Sequence, residues 1–295
     1  MMNRICRLYI IMTLWMLSSC DAQKGSNWKS PTGYNLNAPN KWIMPQELDE
    51  ISGIAFYPGE EPGVYDNDNG ANPVIYAEQD EEGRVYRLRK TNKASSTKFG
   101  KPGDYEDIAI NKEYIVMLRS DGVLFTFPFS ETRNDKTETT KEWKGLLPPG
   151  EYESLAADKD GNLVVICKNC PIDNQEKEVS AYLLKQDNAG NLSVARTFKI
   201  NISAVPLTSI HKEIKFHPSC IAQHPGTHEW FLISSVNKVL IILDEHWKVK
   251  TYYALNPSLF KQPEGLAFDT KGNMYISNER DHIGNANILE FIYKL

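Results

Sequence analysis

The pair Ile-Ala or Leu-Ala recurs five times along the chain, at Ile54-Ala55, Ile108-Ala109, Leu155-Ala156, Ile221-Ala222 and Leu266-Ala267. The intervals are 54, 47, 66 and 45 residues. Each pair opens a unit of three apolar runs separated by turns: SGIAF, VIYAE and RVYRL in the first unit, DIAIN, YIVML and VLFTF in the second, GLAFD, MYISN and ILEFI in the last. A weaker fourth run, such as VARTFKI or KVKTYYAL, follows the first four units. Short runs rich in Val, Ile, Tyr and Phe, bounded by Gly, Asn and Asp, read as strands, and helical periodicity is nearly absent. The pieces SDG, DKDGN and DTKGN supply the positive-φ residues that tight hairpins need. Four-stranded units repeated about every 40 to 50 residues mark a β-propeller. The fold class is therefore all-β, a propeller of five blades, with six as the alternative count.

The last unit ends at Leu295 after its third run, so its outermost strand must come from elsewhere. The segment 28–36, WKSPTGYNL, precedes the first unit and has no other partner. It is expected to close the ring as an N-terminal strand, making 28–295 a single propeller domain.

The N-terminus points to a compartment. Arg4 and Arg7 precede an apolar run from Leu8 to Leu17 and then Leu17-Ser18-Ser19-Cys20. That run is too short to span a bilayer and has the layout of a secretory signal. The L-S-S-C ending resembles a bacterial lipobox, which implies cleavage of residues 1–19, lipidation of Cys20 and a polar tether over 20–27. The expected location is the bacterial cell envelope, lipid-anchored, at the outer membrane or cell surface rather than the inner membrane. Losing residues 1–19 would leave 276 of 295 residues and, without the two arginines, a formal net charge of −7 in place of −5. An acidic surface argues against nucleic acid as a partner. Three other cysteines, Cys167, Cys170 and Cys220, are too few for a disulfide framework. Cys167-Lys-Asn-Cys170 lacks the βαβ setting of a redox motif and a second C-x-x-C for a zinc site, leaving a local disulfide or two plain thiols.

In a propeller the first strand of each blade lies nearest the axis. The position two residues before each aligned Ile or Leu holds Ser52, Glu106, Glu153, Ser219 and Glu264. One mouth of the channel is thus expected to carry three carboxylates and two hydroxyls. Carboxylates at close quarters resist ionising together, so protons or a cation must compensate. An all-oxygen acidic ring suits Ca²⁺ better than zinc, and Glu106, Glu153 and Glu264 are the candidate ligands. The alternative is that these glutamates cap backbone amides or pair with lysine or arginine. Loops between second and third strands open on the same mouth and bring Glu78, Asp80, Arg119, Lys168, Asn278 and Glu279 as a candidate ligand face. His217 and His282 lie near it without forming a dyad.

The motifs YEDIAI, PSCIAQHP and QPEGLAFDTKGNMYISNE, with a match running from about Leu48 to Leu295, resemble the SdiA-regulated family of bacterial envelope proteins. The resemblance implies a five-bladed propeller, distantly similar to NHL-repeat propellers, with a calcium site, and it carries no established activity. The family's motif glutamates map onto Glu106, Glu153 and Glu264, whereas Ser52 and Ser219 stand in the first and fourth units. Two function classes follow. One is a monomeric, calcium-containing binding or scaffold lipoprotein for a protein or glycan. The other is a calcium-dependent hydrolase similar to propeller lactonases or phytases, although no nucleophile elbow or zinc-protease helix is present.

Overall fold

A computed structural model of the chain describes residues 28–57, 74–89, 94–207, 215–282 and 284–294. The expected signal peptide, Cys20 and the tether lie outside the described residues. Five four-stranded antiparallel sheets form the blades of a five-bladed propeller. Its strands, in chain order from β1, begin with Asn40–Ile43. Blade one holds β2 (Ile51–Ala55), β3 (Ile75–Gln79), β4 (Arg84–Leu88) and β5 (Ser95–Lys98). Blade two holds β6 (Tyr105–Asn111), β7 (Tyr114–Arg119), β8 (Leu124–Pro128) and β9 (Lys141–Trp143). Blade three holds β10 (Glu151–Ala157), β11 (Asn162–Asn169), β12 (Glu178–Gln186) and β13 (Leu192–Asn201). Blade four holds β14 (Cys220–Gln223), β15 (Trp230–Ser234), β16 (Val239–Leu243) and β17 (Val249–Ala254). Blade five holds β18 (Pro263–Phe268), β19 (Met274–Asn278) and β20 (Asn287–Phe291), with β1 as its outer strand. Among the described residues no helix is long and apolar enough to cross a membrane.

The five Ile-Ala and Leu-Ala pairs fall in the first strands β2, β6, β10, β14 and β18. Each of these packs against its two neighbours, so the five close a ring around the axis. The core is divided into five apolar clusters, each filling the gap between adjacent blades. Ala55, Tyr76 and Val85 of blade one, for example, meet Ile108, Met117 and Phe125 of blade two. Neighbouring blades stack face to face, which is why inward and outward faces of the middle strands are both apolar and buried.

An N-terminal strand does close the ring, but it is β1 and not 28–36. Asn40 pairs with Glu290 and Ile43 with Asn287. The displaced expectation has a local cause. Pro31 and Gly33, at φ 86°, bend the chain into a turn closed by the Tyr34 amide on the Pro31 carbonyl at 3.0 Å. Tyr34 and Leu36 then plug the gap between blades four and five, and the Tyr34 hydroxyl donates to the Gly272 carbonyl at 2.5 Å. Only beyond this does the chain become extended, burying Trp42 and exposing its neighbours Lys41 and Ile43.

The residue before each aligned Ile or Leu controls how closely inner strands approach. At Gly53 an added Cβ would lie 2.4 Å from Asp107 Oδ1 and 2.6 Å from the Asp107 Cα. Asp107, itself buried, accepts the Leu155 amide of blade three at 2.7 Å and its own neighbour Ile108 at 2.9 Å. Blades one, two and three are therefore keyed together at one level. Gly53→Ala is expected to force a backbone shift costing about 3 kcal/mol, the upper part of the overpacking range. A thermal melt should register a fall of roughly 6 to 12 °C; an unchanged melting temperature would show that the inner strands can slide apart freely.

Candidate functional site

Because all five first strands run the same way, their starts define one mouth of the channel and their ends the other. Ser52, Glu106, Glu153, Ser219 and Glu264 all lie at the starts, at one mouth. Their surroundings differ. The Ser52 carbonyl accepts the Ser277 hydroxyl of blade five at 2.6 Å. Glu264 accepts the hydroxyls of Ser235 and Ser219, and the Ser219 Oγ also accepts the Ser235 amide at 3.1 Å. Glu153, buried, is in direct contact with the Lys168 ammonium, which also lies 3.2 Å from Glu151 Oε1.

Lys168 is the positive centre of this mouth. It sits between Cys167 and Cys170, which form a disulfide, while Cys220 is a free, buried thiol. The Lys168 carbonyl accepts Gln175 Nε2 at 2.6 Å and also a hydrogen bond from the His217 ring. Burial, reinforced by the nearby Lys168 ammonium, holds His217 below its ordinary value, so it is a neutral structural group tied to the lysine turn.

The carboxylates that lie closest together differ from the expected trio. Among the described residues, Glu50, Asp80 and Glu279 bring carboxylate oxygens within 4.8 Å of one another. Glu50 precedes β2, Asp80 follows β3 and Glu279 follows β19. The triad thus straddles the seam where blade five meets blade one. Arg280 crosses the same seam, its amide on the Asp49 carbonyl at 2.8 Å and its guanidinium on Asp49 Oδ2 at 2.6 Å. Gln262 Nε2 donates to Glu279 Oε2 at 2.7 Å. Asp80 Oδ1 is buried and accepts no hydrogen bond.

Burial, with crowding added, raises Asp80, Glu106, Glu264 and Glu279. Burial, with Glu264, Asp80, Glu50 and Glu106 adding repulsion, pushes Glu279 up to about 8. Burial and Asp104 push Glu106 up to about 8, with Lys168 pulling the other way. Burial, Glu50, Glu81 and Asp104 push Asp80 up to about 6. Glu264 is raised by burial, against the pull of Lys168 and its serine partners.

The remaining candidates divide. Asp80, Lys168 and Glu279 do reach the mouth. Glu78 and Asn278 do not present a ligand face: they are the penultimate and last residues of β3 and β19 and are fully buried. Glu78 Oε1 accepts the Gly53 amide at 2.8 Å, and Asn278 Nδ2 donates to Asn287 Oδ1 at 3.3 Å. Burial raises Glu78 well above the carboxylate range. Arg119 is committed within its own blade, to Asp121 at 2.9 Å and to the Phe125 ring at 5.5 Å. Glu50 was missed because it lies outside the aligned repeat position; its one signal is that Ile51 pairs with Gln79, which sets residue 50 beside residue 80.

No family model matches the chain, and no curated protein matches it. Solved structures do. The chain is similar to glutaminyl cyclase from Myxococcus xanthus, with a TM-score of 0.55 and 12% identity over 85% of this chain and 93% of that one. It is also similar to a calcium-binding protein, regucalcin, from Agrobacterium tumefaciens, with a TM-score of 0.47 and 12% identity over 90% and 98%. A third likeness is to virginiamycin B lyase from Staphylococcus aureus, with a TM-score of 0.45 and 12% identity over 85% and 69%. At such identities the likeness speaks to the fold alone, and the chain takes its place among the β-propellers.

Proposed function

We propose that this protein is a calcium-binding propeller of the SdiA-regulated kind, anchored at the bacterial envelope through a lipid on Cys20, whose acidic mouth serves as a binding surface for a protein or glycan. The observation that carries the calcium reading is the Glu50, Asp80 and Glu279 triad, with its unpartnered buried Asp80 oxygen. The donor set is all oxygen, which fits a hard cation that takes six to eight oxygen ligands. Glu50, Asp80 and Glu279 would hold the ion, Glu106 and Glu264 would add negative charge beside it, and Glu153 would stay with Lys168. When bound, calcium would offset the burial and mutual repulsion that raise Asp80 and Glu279.

The test is linkage. Carboxyls raised in the folded protein hold protons that the unfolded chain releases, so folding stability falls as pH rises between the two values. From the values of Asp80, Glu106 and Glu279, the metal-free melting temperature is expected to fall as pH rises from about 4 to about 8. Calcium should reverse that fall, with the melting temperature rising with the logarithm of free calcium above its dissociation constant. Glu279→Gln should weaken the calcium response and flatten the pH dependence. A melting curve indifferent to both calcium and chelator at pH 8 would end the calcium reading.

The hydrolase alternative has less support, because the His217 ring is occupied by the Lys168 carbonyl. A panel of lactones, phosphate esters and phytate, with and without calcium, is expected to give no turnover. The anchor has its own test. Cys20→Ala is expected to move the protein from the membrane to the soluble fraction, and unchanged fractionation would rule the lipid out.

A further inference from the structure

The two mouths of the channel are chemically opposite. Where the strand starts carry acids and hydroxyls, the position two residues after each aligned Ile or Leu holds Phe56, Ile110, Ala157, Gln223 and Phe268. These five ring the other mouth of the channel, and a cavity of about 720 Å³ opens between them. Its floor is the set of aligned residues Ile54, Ile108, Leu155, Ile221 and Leu266, each at most 4% exposed. That aliphatic floor makes the cavity a blind funnel, insulated from the acidic mouth.

The walls are uneven in a way that matters for a ligand. Phe56 and Phe268 come from adjacent blades and are only partly buried. Phe56 rests on Tyr275 at 4.8 Å between ring centres, and Phe268 meets Phe231 edge-on at 5.1 Å, so both rings are braced from behind. Facing them, Ala157 leaves room where the other blades carry larger side chains.

The polar groups at the rim are already satisfied. Gln223 accepts the Lys159 amide at 2.8 Å and donates to the His228 carbonyl at 3.1 Å. Asn111 donates to the Gly161 carbonyl and to Gln186, and Lys112 donates to the Gln186 carbonyl at 3.0 Å. Asp158 and Asp269 each hold the amides and the asparagine of their own turn. Lys159 is paired with Asp160. Among these described groups a charged ligand would have to displace an existing partner and would lose hydration in doing so. An apolar ring would gain contact with two braced aromatic faces and displace water from aliphatic walls. The volume is that of an ordinary small-molecule site, which runs roughly from 300 to 1,000 Å³.

We propose that this funnel binds a small, uncharged, ring-bearing molecule, independently of any cation at the opposite mouth. The test uses the neutral fluorescent probe N-phenyl-1-naphthylamine with the folded chain. The expected result is a saturable rise in fluorescence at one probe per chain, indifferent to calcium and chelator. Its sulfonated, anionic relative 1-anilinonaphthalene-8-sulfonate should bind at least tenfold more weakly. Ala157→Trp, which sets an indole opposite the two phenylalanines, should weaken the neutral probe at least tenfold while leaving the acidic mouth's calcium response in place. Should that variant not fold, Phe268→Leu keeps an apolar side chain and should weaken the probe severalfold. A crystal of the parent grown with the probe should show it between Phe56 and Phe268. Non-saturating fluorescence, equal binding of both probes, or affinity unmoved by a folded variant would overturn the proposal.

Discussion

Deleting residues 28–43 is expected to abolish cooperative unfolding and drive the protein into aggregates. The deletion removes β1, and with it the ladder from Asn40↔Glu290 to Ile43↔Asn287, leaving β20 as a bare edge. It removes Trp42, which is 7% exposed and stacks edge-on against Tyr275 at 5.6 Å. It takes from the buried Glu290 carboxyl the Trp42 Nε1 donor at 3.1 Å and the Asn40 Nδ2 donor at 3.2 Å, leaving the Tyr275 hydroxyl at 3.0 Å. It also uncovers the interface of blades four and five where Tyr34 and Leu36 sit. Removing donors from a buried carboxyl costs about 1 to 3 kcal/mol and opening a core about 3 kcal/mol or more. Calorimetry and size-exclusion chromatography would read the outcome, and a monomeric chain with a sharp transition would contradict it. Trp42→Phe is the milder test: it keeps an aromatic side chain but loses the N–H and part of the indole's bulk, and should cost about 1.5 kcal/mol or more.

Lys168→Met is expected to destabilise the metal-free protein and, on the calcium reading, to tighten calcium binding. In the parent the ammonium sits against Glu153 and beside Glu151, and its field lowers Glu106 and Glu264. Methionine keeps most of the apolar stem and deletes the charge. Losing one partner of a largely buried pair should cost on the order of 3 kcal/mol in chelator. The ammonium shares the mouth with the triad and acts on Glu106 and Glu264 beside it, so calcium should bind more tightly once that positive charge is gone. Lys168→Arg should leave both quantities close to the parent. If Lys168→Met loses stability in chelator but neither protein responds to calcium, the lysine is the mouth's own counter-ion and the calcium reading fails alone. If stability in chelator is unchanged, the lysine has no such role.

The repeat was legible because propeller blades are made of local hairpins, and their signals are local too. DKDGN and DTKGN fold as read: Asp158 accepts the amides of Asp160 and Asn162, and Asp269 those of Lys271 and Asn273. The aligned Ile-Ala and Leu-Ala pairs fall on the inner strands for the same reason. The sequence places the closing strand a few residues early because Tyr34 and Leu36 carry apolar character that serves packing, not pairing. At the mouth, Asp80, Lys168 and Glu279 could be read because each follows or ends a second strand. Glu50 could not, since its partners arrive from two different blades. In the sequence Lys168 is one of many polar loop residues; that it meets Glu153 follows only from the opposition of β10 and β11, where a bulge at Tyr152 shifts the register. The pairing of Cys167 with Cys170 was left open in the residues and is settled by their 5.9 Å Cα separation across the turn.

Blade five is the one sheet built from both ends of the described chain, and this shapes how the molecule assembles and comes apart. The Asn40 and Glu290 side chains meet across a sequence separation of 250 residues. Closing such a loop costs roughly 3 kcal/mol more entropy than closing a ten-residue hairpin. Blades one to four can condense from contiguous hairpins, whereas the fifth must wait for the first strand to return. Closure is therefore the late, slow event of folding, and the open ring is the species most exposed to association with another chain. In reverse, the same closure is where unfolding is expected to begin. A cation held by Glu50, Asp80 and Glu279 would bridge blades five and one, which this closure brings together, and act on the rate of opening, so the lifetime of the native state would lengthen with calcium while the rate of forming blades one to four stayed the same.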